Sequence, residues 1–318
     1  MKARLGVLVP AVAAAVAGGL ALFSARTARR VEAAVPPQGG FIDVRGTRLH
    51  YVDRGQGPTL VMIHGLAGQV GNFTHSLVDR LADEFRVVVV DRPGSGYSAR
   101  AWDAPATLGA QAETIAAFID ALRLERPLIV GHSLGGAVAL ALALAHPQRV
   151  AGLALIAPLT HVQQDVPAAF AGLAMRSRLL RGLVAWTVAT PVGMRTRDTM
   201  LELVFGPDPV PEDFGTRGGG LMALRPTHFY AASSDLAVVN DDLVDMVRRY
   251  GSLTVPVGVL FGRQDRILDP REHGEALAAK VDGLRLTLTE GGHMLPVTAP
   301  GETADWIRDF ARHALAGR

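Results

Sequence analysis

Gly131-His132-Ser133-Leu134-Gly135 fits the pattern G-x-S-x-G and sits where the apolar run Leu128-Ile129-Val130 meets the alanine- and leucine-rich stretch Leu134 to Ala145. A strand that reverses into a helix within one residue strains the backbone of the central position, and only small neighbours leave room for the turn. The Ser133 hydroxyl is then expected at the carboxyl end of a sheet, beside the positive end of a helix, as a candidate nucleophile. A serine hydroxyl is weak at neutral pH, so it needs a base, and the base needs a third group to orient it.

The chain has ten histidines, and His293 is the one that follows the last strand-like run, Leu284 to Thr289, through the pliable Glu290-Gly291-Gly292. It is the expected base. His64 and His132 flank other sheet ends and are expected to be structural or site-lining, whereas His146, His273 and His313 lie in or beside helical segments and are expected to be solvated. The acid is expected on the loop after the preceding strand, where VPVGVLFGRQDRILDP puts Asp265 four residues beyond Phe261. Asp265 is preferred over Asp269, and Asp165 is the alternative if the acid follows the strand ending near Ile156.

A tetrahedral oxyanion requires two convergent donors. The expected pair is the backbone amide of Leu134 and that of Leu66, in the loop His64-Gly65-Leu66-Ala67-Gly68 after Thr59 to Ile63. His64, Gly65, His132, Met294 and, farther along, Trp186 are the expected substrate contacts. Asp91-Arg92-Pro93-Gly94-Ser95-Gly96-Tyr97-Ser98 reads as a structural turn at the edge of the site. Its Gly94-x-Gly96 pair completes neither glycine-rich phosphate motif. No metal constellation is expected, and serine chemistry of this kind needs no cofactor.

These residues fall at the joints of an alternating pattern. Residues 41–54 read as two antiparallel strands turning at Arg45-Gly46, followed by a strand at 59–63, a helix near 71–82 and a strand at 86–90. A helix near 108–122, a strand at 127–130, a helix at 134–145 and a strand at 150–156 continue it. Uniformly apolar runs such as Val87-Val88-Val89-Val90 fit parallel strands buried on both faces. The rhythm breaks after Pro158, turns helical and loop-rich, and resumes with strands at 255–261 and 284–289, a helix at 271–281 and a terminal helix at 301–315. The expected organisation is a core in two parts, 41–158 and 251–318, with a helical insertion at 159–250.

The chain resembles the α/β-hydrolase superfamily, in the capped branch of esterases, lipases, haloperoxidase-like proteins and carbon–carbon bond hydrolases. The matching residues are His64-Gly65, DRPGSGYS from Asp91, GHSLGG from Gly131, GRQD from Gly262 and the GGH ending at His293. The resemblance spans roughly residues 41–315. It implies a mostly parallel eight-stranded sheet with a cap and a Ser133, Asp265, His293 triad. Serine at 133 argues against epoxide opening and halide displacement, for which relatives carry aspartate at that position. The expected activity is hydrolysis of carboxylic esters of apolar acids through an acyl-enzyme. Alternatives are cleavage of a carbon–carbon bond in a ring-fission product, perhydrolase-like chemistry, or ligand binding on a hydrolase scaffold.

Composition bounds the reading. With 318 residues, 49% hydrophobic and 19% charged, the chain can bury a sizeable core and is no disordered polyelectrolyte. The absence of cysteine excludes disulfide scaffolds and thiol chemistry. Residues 1–30 hold Lys2, Arg4, Arg26, Arg29 and Arg30 and no acid, so a chain of net charge +2 leaves its remainder at −3. This removes the case for a nucleic-acid partner. Between Arg4 and Arg26 lie 21 uncharged residues, about 31 Å as a helix, close to a bilayer core. Residues 1–30 are expected to be an uncleaved transmembrane anchor, with 31–40 as a linker. The rival is a signal peptide whose removal would leave a secreted or periplasmic protein, but its apolar part is usually shorter and Phe23-Ser24-Ala25 is a poor cleavage site. The expected partners are a membrane and a small apolar ester, with no required protein partner.

Overall fold

The apolar runs assemble into one eight-stranded sheet in the computed structural model, which describes residues 2–163, 170 and 172–315. Its strands are β1 (Gly40–Val44), β2 (Thr47–Arg54), β3 (Thr59–Ile63), β4 (Arg86–Val90), β5 (Leu128–His132), β6 (Gly152–Ile156), β7 (Val257–Gly262) and β8 (Arg285–Thr289). They lie in the order β1-β2-β4-β3-β5-β6-β7-β8. β1, β2 and β4 pair antiparallel in turn, and every other pairing is parallel. The registers Ile63↔Val90, Ile63↔Gly131 and His132↔Ile156 align the carboxyl ends of the central strands, so the loops that leave them share one edge.

Successive side chains of a strand point to opposite faces, and here both faces are dry. Val61, Ile63, Val88 and Val90 pack in one cluster with α4 (Leu108–Ala121) and α5 (Leu134–Ala145). Leu60, Met62, Val87 and Val89 pack in the other, with Phe73, Leu77 and the closing helix α12 (Pro300–Leu315). Local chemistry sets the helix starts: Thr107 accepts a hydrogen bond from the Ala110 amide at 3.2 Å and caps α4. The helix expected over 71–82 is instead two short ones, α2 (Gly71–Thr74) and α3 (Val78–Leu81). At the break the His75 ring bonds Asp213 at 2.8 Å and the Ser76 hydroxyl at 2.7 Å.

Between β6 and β7 come α6 (Arg178–Trp186), α7 (Ala189–Phe205), a 3-10 turn (Gly220–Leu224), α8 (Pro226–Leu236) and α9 (Val239–Arg249). α9 lies against the sheet domain: Leu243 and Met246 join the α4 side of the core, and Asp242 accepts the Leu108 amide at 2.7 Å. Short α10 (Ala276–Ala278), entered through a π turn at Arg271–Glu275, and α11 (Leu295–Thr298) complete the set. Asp165 lies outside the described residues.

One N-terminal helix, α1 (Lys2–Ala34), is long and apolar enough to cross a membrane over Ala11–Ala34. It runs through the arginines at 26, 29 and 30 and four residues into the expected linker, ending before Pro36-Pro37, which disfavour helix at the residues before them. Its carboxyl half leans on the helices inserted between β6 and β7. Ser24 and Val31 are buried, and Glu32 pairs with Arg225 at 2.9 Å.

Candidate active site

Ser133 sits between β5 and α5 with φ 54° and ψ −122°, a strained backbone of order 1–3 kcal/mol that the surrounding packing has to hold. Its carbonyl accepts the amides of Gly136 at 2.8 Å and Leu159 at 3.0 Å, and its own amide donates to Ile156 at 3.0 Å. A side chain at 131 would come within 2.7 Å of the Gly135 carbonyl, which is why this turn takes glycine there. Leu134 begins a helix of 12 residues, so its amide has no carbonyl one turn earlier to bond and is free for an anion.

His293 follows β8 and meets the carboxylate of Asp265, on the loop after β7, with Nδ1 at 2.7 Å from Oδ2. The other oxygen of Asp265 accepts the amides of Ile267 at 2.8 Å and Leu268 at 3.0 Å. A carboxylate held by three donors has one orientation. Asp269, its competitor, caps the next turn through the Arg271 amide at 2.8 Å. The structure therefore brings Asp265 to His293 and leaves Asp269 as a turn residue.

Ser133, Leu134, Leu66 and His293 line one cavity of about 440 Å³, together with Gly65, His132 and Met294, a size common for small-molecule sites. Most of its wall is apolar, with α7 giving the largest share and α8 and the 3-10 turn adding to it. His132 Nε2 donates to the His293 carbonyl at 3.0 Å, and since a carbonyl only accepts, the ring proton is on Nε2. Burial, then the nearby His293 ring, push its pKa down to about 3, so it stays neutral beside His293.

Two expected substrate contacts lie elsewhere. His64 is fully buried beneath the loop: Nδ1 donates to the Gly65 carbonyl at 2.9 Å and Nε2 accepts the Arg92 amide at 3.0 Å. Burial, and then the Arg92 charge, hold its pKa well below the ordinary value. Trp186, in the last turn of α6, does not line the cavity and is 45% exposed. His273 departs from its solvated expectation as well. It is buried, accepts the Thr160 amide at 3.2 Å through Nδ1, and is pushed down to about 4, chiefly by burial.

The turn after β4 proves to be organised around Asp91, which is buried and accepts from Val70 at 2.7 Å, the Tyr97 amide at 2.9 Å and the His50 ring at 2.7 Å. A side chain at Gly96 would run into that carboxylate. Arg92, the next residue, is the group that motif reading missed. Its guanidinium is 0% exposed and donates to the carbonyls of His64 at 3.0 Å and Gly65 at 2.9 Å, to Gln111 at 2.7 Å and to Asp235 of α8 at 2.8 Å. Arg100 joins the same carboxylate at 2.7 Å. A trans peptide points its carbonyl and amide in opposite directions. With the Gly65 carbonyl turned to Arg92, the Leu66 amide faces away from the guanidinium. From the same helix α8, His228 Nε2 donates to the Ala67 carbonyl at 2.9 Å. The arginine in DRPGSGYS was the available signal, whereas nothing in the sequence marks Asp235.

A family model described as alpha/beta hydrolase fold matches residues 58–300. The chain is 32% identical over 272 residues to the 2-hydroxy-6-oxononadienedioate/2-hydroxy-6-oxononatrienedioate hydrolase of Paraburkholderia xenovorans, covering 84% of this chain and 91% of that protein. It is 40% identical over 163 residues to the dihydrolipoyllysine-residue acetyltransferase component of the acetoin cleaving system of Cupriavidus necator. That match covers 50% of this chain and 42% of the relative, so less than half the relative's length is involved. Among solved structures, a membrane phospholipase A described as a bacterial virulence factor superposes with a TM-score of 0.68 at 26% identity, over 99% of both chains.

Proposed function

Since the chain belongs to the alpha/beta hydrolase fold family, we propose that it is a serine hydrolase cleaving carboxylic esters of apolar acids through an acyl-enzyme on Ser133. The observation that carries this reading is the single cavity in which a strained serine, an aspartate-held imidazole and an apolar wall meet. Ser133 Oγ adds to the ester carbonyl while His293 Nε2 takes the hydroxyl proton. The oxyanion is held by the Leu134 and Leu66 amides. Collapse breaks the bond to the alcohol oxygen, which leaves with the proton from His293. Water, losing a proton to His293, then adds to the acyl group, releases the acid and restores Ser133. Asp265 keeps the proton of His293 on Nδ1 and stabilises the imidazolium, and neutral His132 adds no like charge beside it.

Carbon–carbon cleavage is the second reading, favoured by the Paraburkholderia xenovorans relative. That relative's named substrate is a dioate, and two carboxylates call for cationic walls. The only arginine or lysine on this cavity among the described residues is Arg197, which supports the ester reading. The buried contacts of Ser24 and Val31 support retention of α1 as a membrane anchor, because a cleaved signal has no use for packing against the mature protein.

A fluorophosphonate probe and a panel of nitrophenyl esters test the proposal. Labelling and turnover are expected in the unaltered protein and absent in Ser133→Ala. Ester turnover equal to that of the variant, beside cleavage of a vinylogous diketone, would replace the first reading with the second.

A further inference from the structure

Among the described residues, fifteen large hydrophobic side chains stand exposed, and eleven of them are on α1 and the α6–α7 corner. Leu179, Leu180, Leu183, Trp186, Val188, Val192 and Met194 form the corner's share, with Leu179 81% exposed. Soluble surfaces rarely gather apolar side chains in this way. α1 lies against the same corner, with the Ser24 hydroxyl 3.4 Å from the Thr187 carbonyl, and nearer its amino end Val12 and Val16 are exposed. The candidate span and the corner are therefore neighbouring apolar elements. Arg26, Arg29 and Arg30 on α1 and Arg178, Arg195 and Arg197 on α6 and α7 are exposed, outnumbering the exposed acids Asp198 and Glu202 of α7. An excess of exposed cations beside an apolar face, with a tryptophan among the exposed side chains, matches the chemistry of an anionic bilayer surface.

The cavity reaches the same place. Val188 and Val192 line its wall and are also 42% and 54% exposed, so the apolar wall continues to the outside at the corner. We infer that the α6–α7 corner docks on an anionic lipid bilayer beside α1, that the cavity opens into the bilayer there, and that the substrate is a long-chain acyl ester drawn laterally from the lipid. The substrate class rests on the ester-hydrolase reading above, while the docking does not.

The test uses the full chain reconstituted into vesicles of phosphatidylcholine and phosphatidylglycerol in equal amounts. Of the three tryptophans, Trp102 and Trp306 are changed to phenylalanine, leaving Trp186 as the reporter. Docking predicts blue-shifted emission from Trp186 and quenching by lipids brominated near the interface. Emission that is water-like and unquenched overturns it. Emission shielded equally in detergent, and lost on dilution, assigns the corner to a second copy of the chain and also overturns it. Leu180 and Leu183 do not line the cavity, so Leu180→Glu/Leu183→Glu is expected to hydrolyse a soluble butyrate ester at the normal rate. Its turnover of a vesicle-resident long-chain ester falls about tenfold, from loss of apolar burial and gain of charge at the surface. Equal rates on both substrates refute lateral access. Absence of Ser133-dependent butyrate turnover in the parent refutes the ester reading instead, and leaves the quenching result to decide docking.

Discussion

Replacing Asp265 by asparagine tests the chemistry more sharply than removing it. Its Oδ1 accepts two backbone amides, at 2.8 and 3.0 Å, and its Oδ2 faces the Nδ1 proton of His293 at 2.7 Å. Asparagine has one oxygen for these two sides. Turned towards His293, the oxygen leaves an NH₂ group against the Ile267 and Leu268 donors, so two hydrogen bonds become two repulsions. Turned towards the amides it keeps both bonds and presents NH₂ to Nδ1, which must then be the acceptor. The second arrangement keeps three hydrogen bonds against one, an advantage of about 2 kcal/mol net. The His293 proton then sits on Nε2, facing the serine it should deprotonate. The expected loss is about 10⁴-fold in kcat, or about 5.4 kcal/mol of transition-state stabilisation. Steady-state ester turnover and the rate of fluorophosphonate labelling read it directly, and ¹⁵N spectra of the histidines should show the His293 proton on Nε2. A variant within tenfold of the parent, or one that is slow with the proton still on Nδ1, would refute this account of Asp265.

The buried ion cluster predicts a different signature. Asp235→Leu leaves Arg92 and Arg100 buried without their carboxylate, at a cost of about 3–5 kcal/mol, and should lower Tm by roughly 10 °C. An unchanged calorimetric midpoint would deny the cluster that role. At Gly65, an added Cβ would approach the Ser133 Cβ to 2.9 Å and its Oγ to 3.3 Å. The loop must retreat, and overpacking of about 1–3 kcal/mol puts Gly65→Ala at about 5- to 150-fold lower kcat; normal kcat would show that the loop tolerates the methyl. The neutral histidines set an acid limit. His273 is pushed down to about 4 and His132 to about 3 by burial, whereas unfolded histidine takes its proton near 6.5. Between these values the unfolded chain binds more protons, so stability present at pH 7 is lost as pH falls from about 6.5 towards 4, by at most about 1.4 kcal/mol per pH unit per group. His273→Asn, whose Oδ1 replaces Nδ1 as acceptor for Thr160, should flatten the dependence of the urea midpoint between pH 7 and pH 5. A profile parallel to the parent's would remove His273 from it.

What was legible in the sequence is what short segments settle by themselves. Val87 to Val90 has no polar alternative to a strand buried on both faces, and β4 is such a strand. The glycines at 131 and 135 flank a position where only small residues allow the turn, and Ser133 has the left-handed backbone that such a turn requires. His293 and Asp265 were found through their place after two strands, and parallel registry carries both loops to the same edge. Of the boundaries that moved, the extension of α1 to Ala34 turns on where prolines stop a helix, and residues 71–82 divide into two short helices.

The rest depended on distance along the chain. Arg92 and Asp235 are 143 residues apart, and Ser24 and Thr187 are 163 apart. No periodicity links such positions, because their meeting depends on how the inserted helices fold back over the sheet. The same packing decided which histidines face the cavity, burying His64 and His273 that local context had placed at the site or in water. By itself the sequence determined the fold family, the strained serine and the loops that meet beside it, since steric and apolar patterns act within a few residues. Tertiary structure alone decided that one buried guanidinium joins the loop beside Ser133 to the inserted helices, and that α1 packs on those same helices. Those are contacts between remote segments, and each exists only when the whole chain has packed.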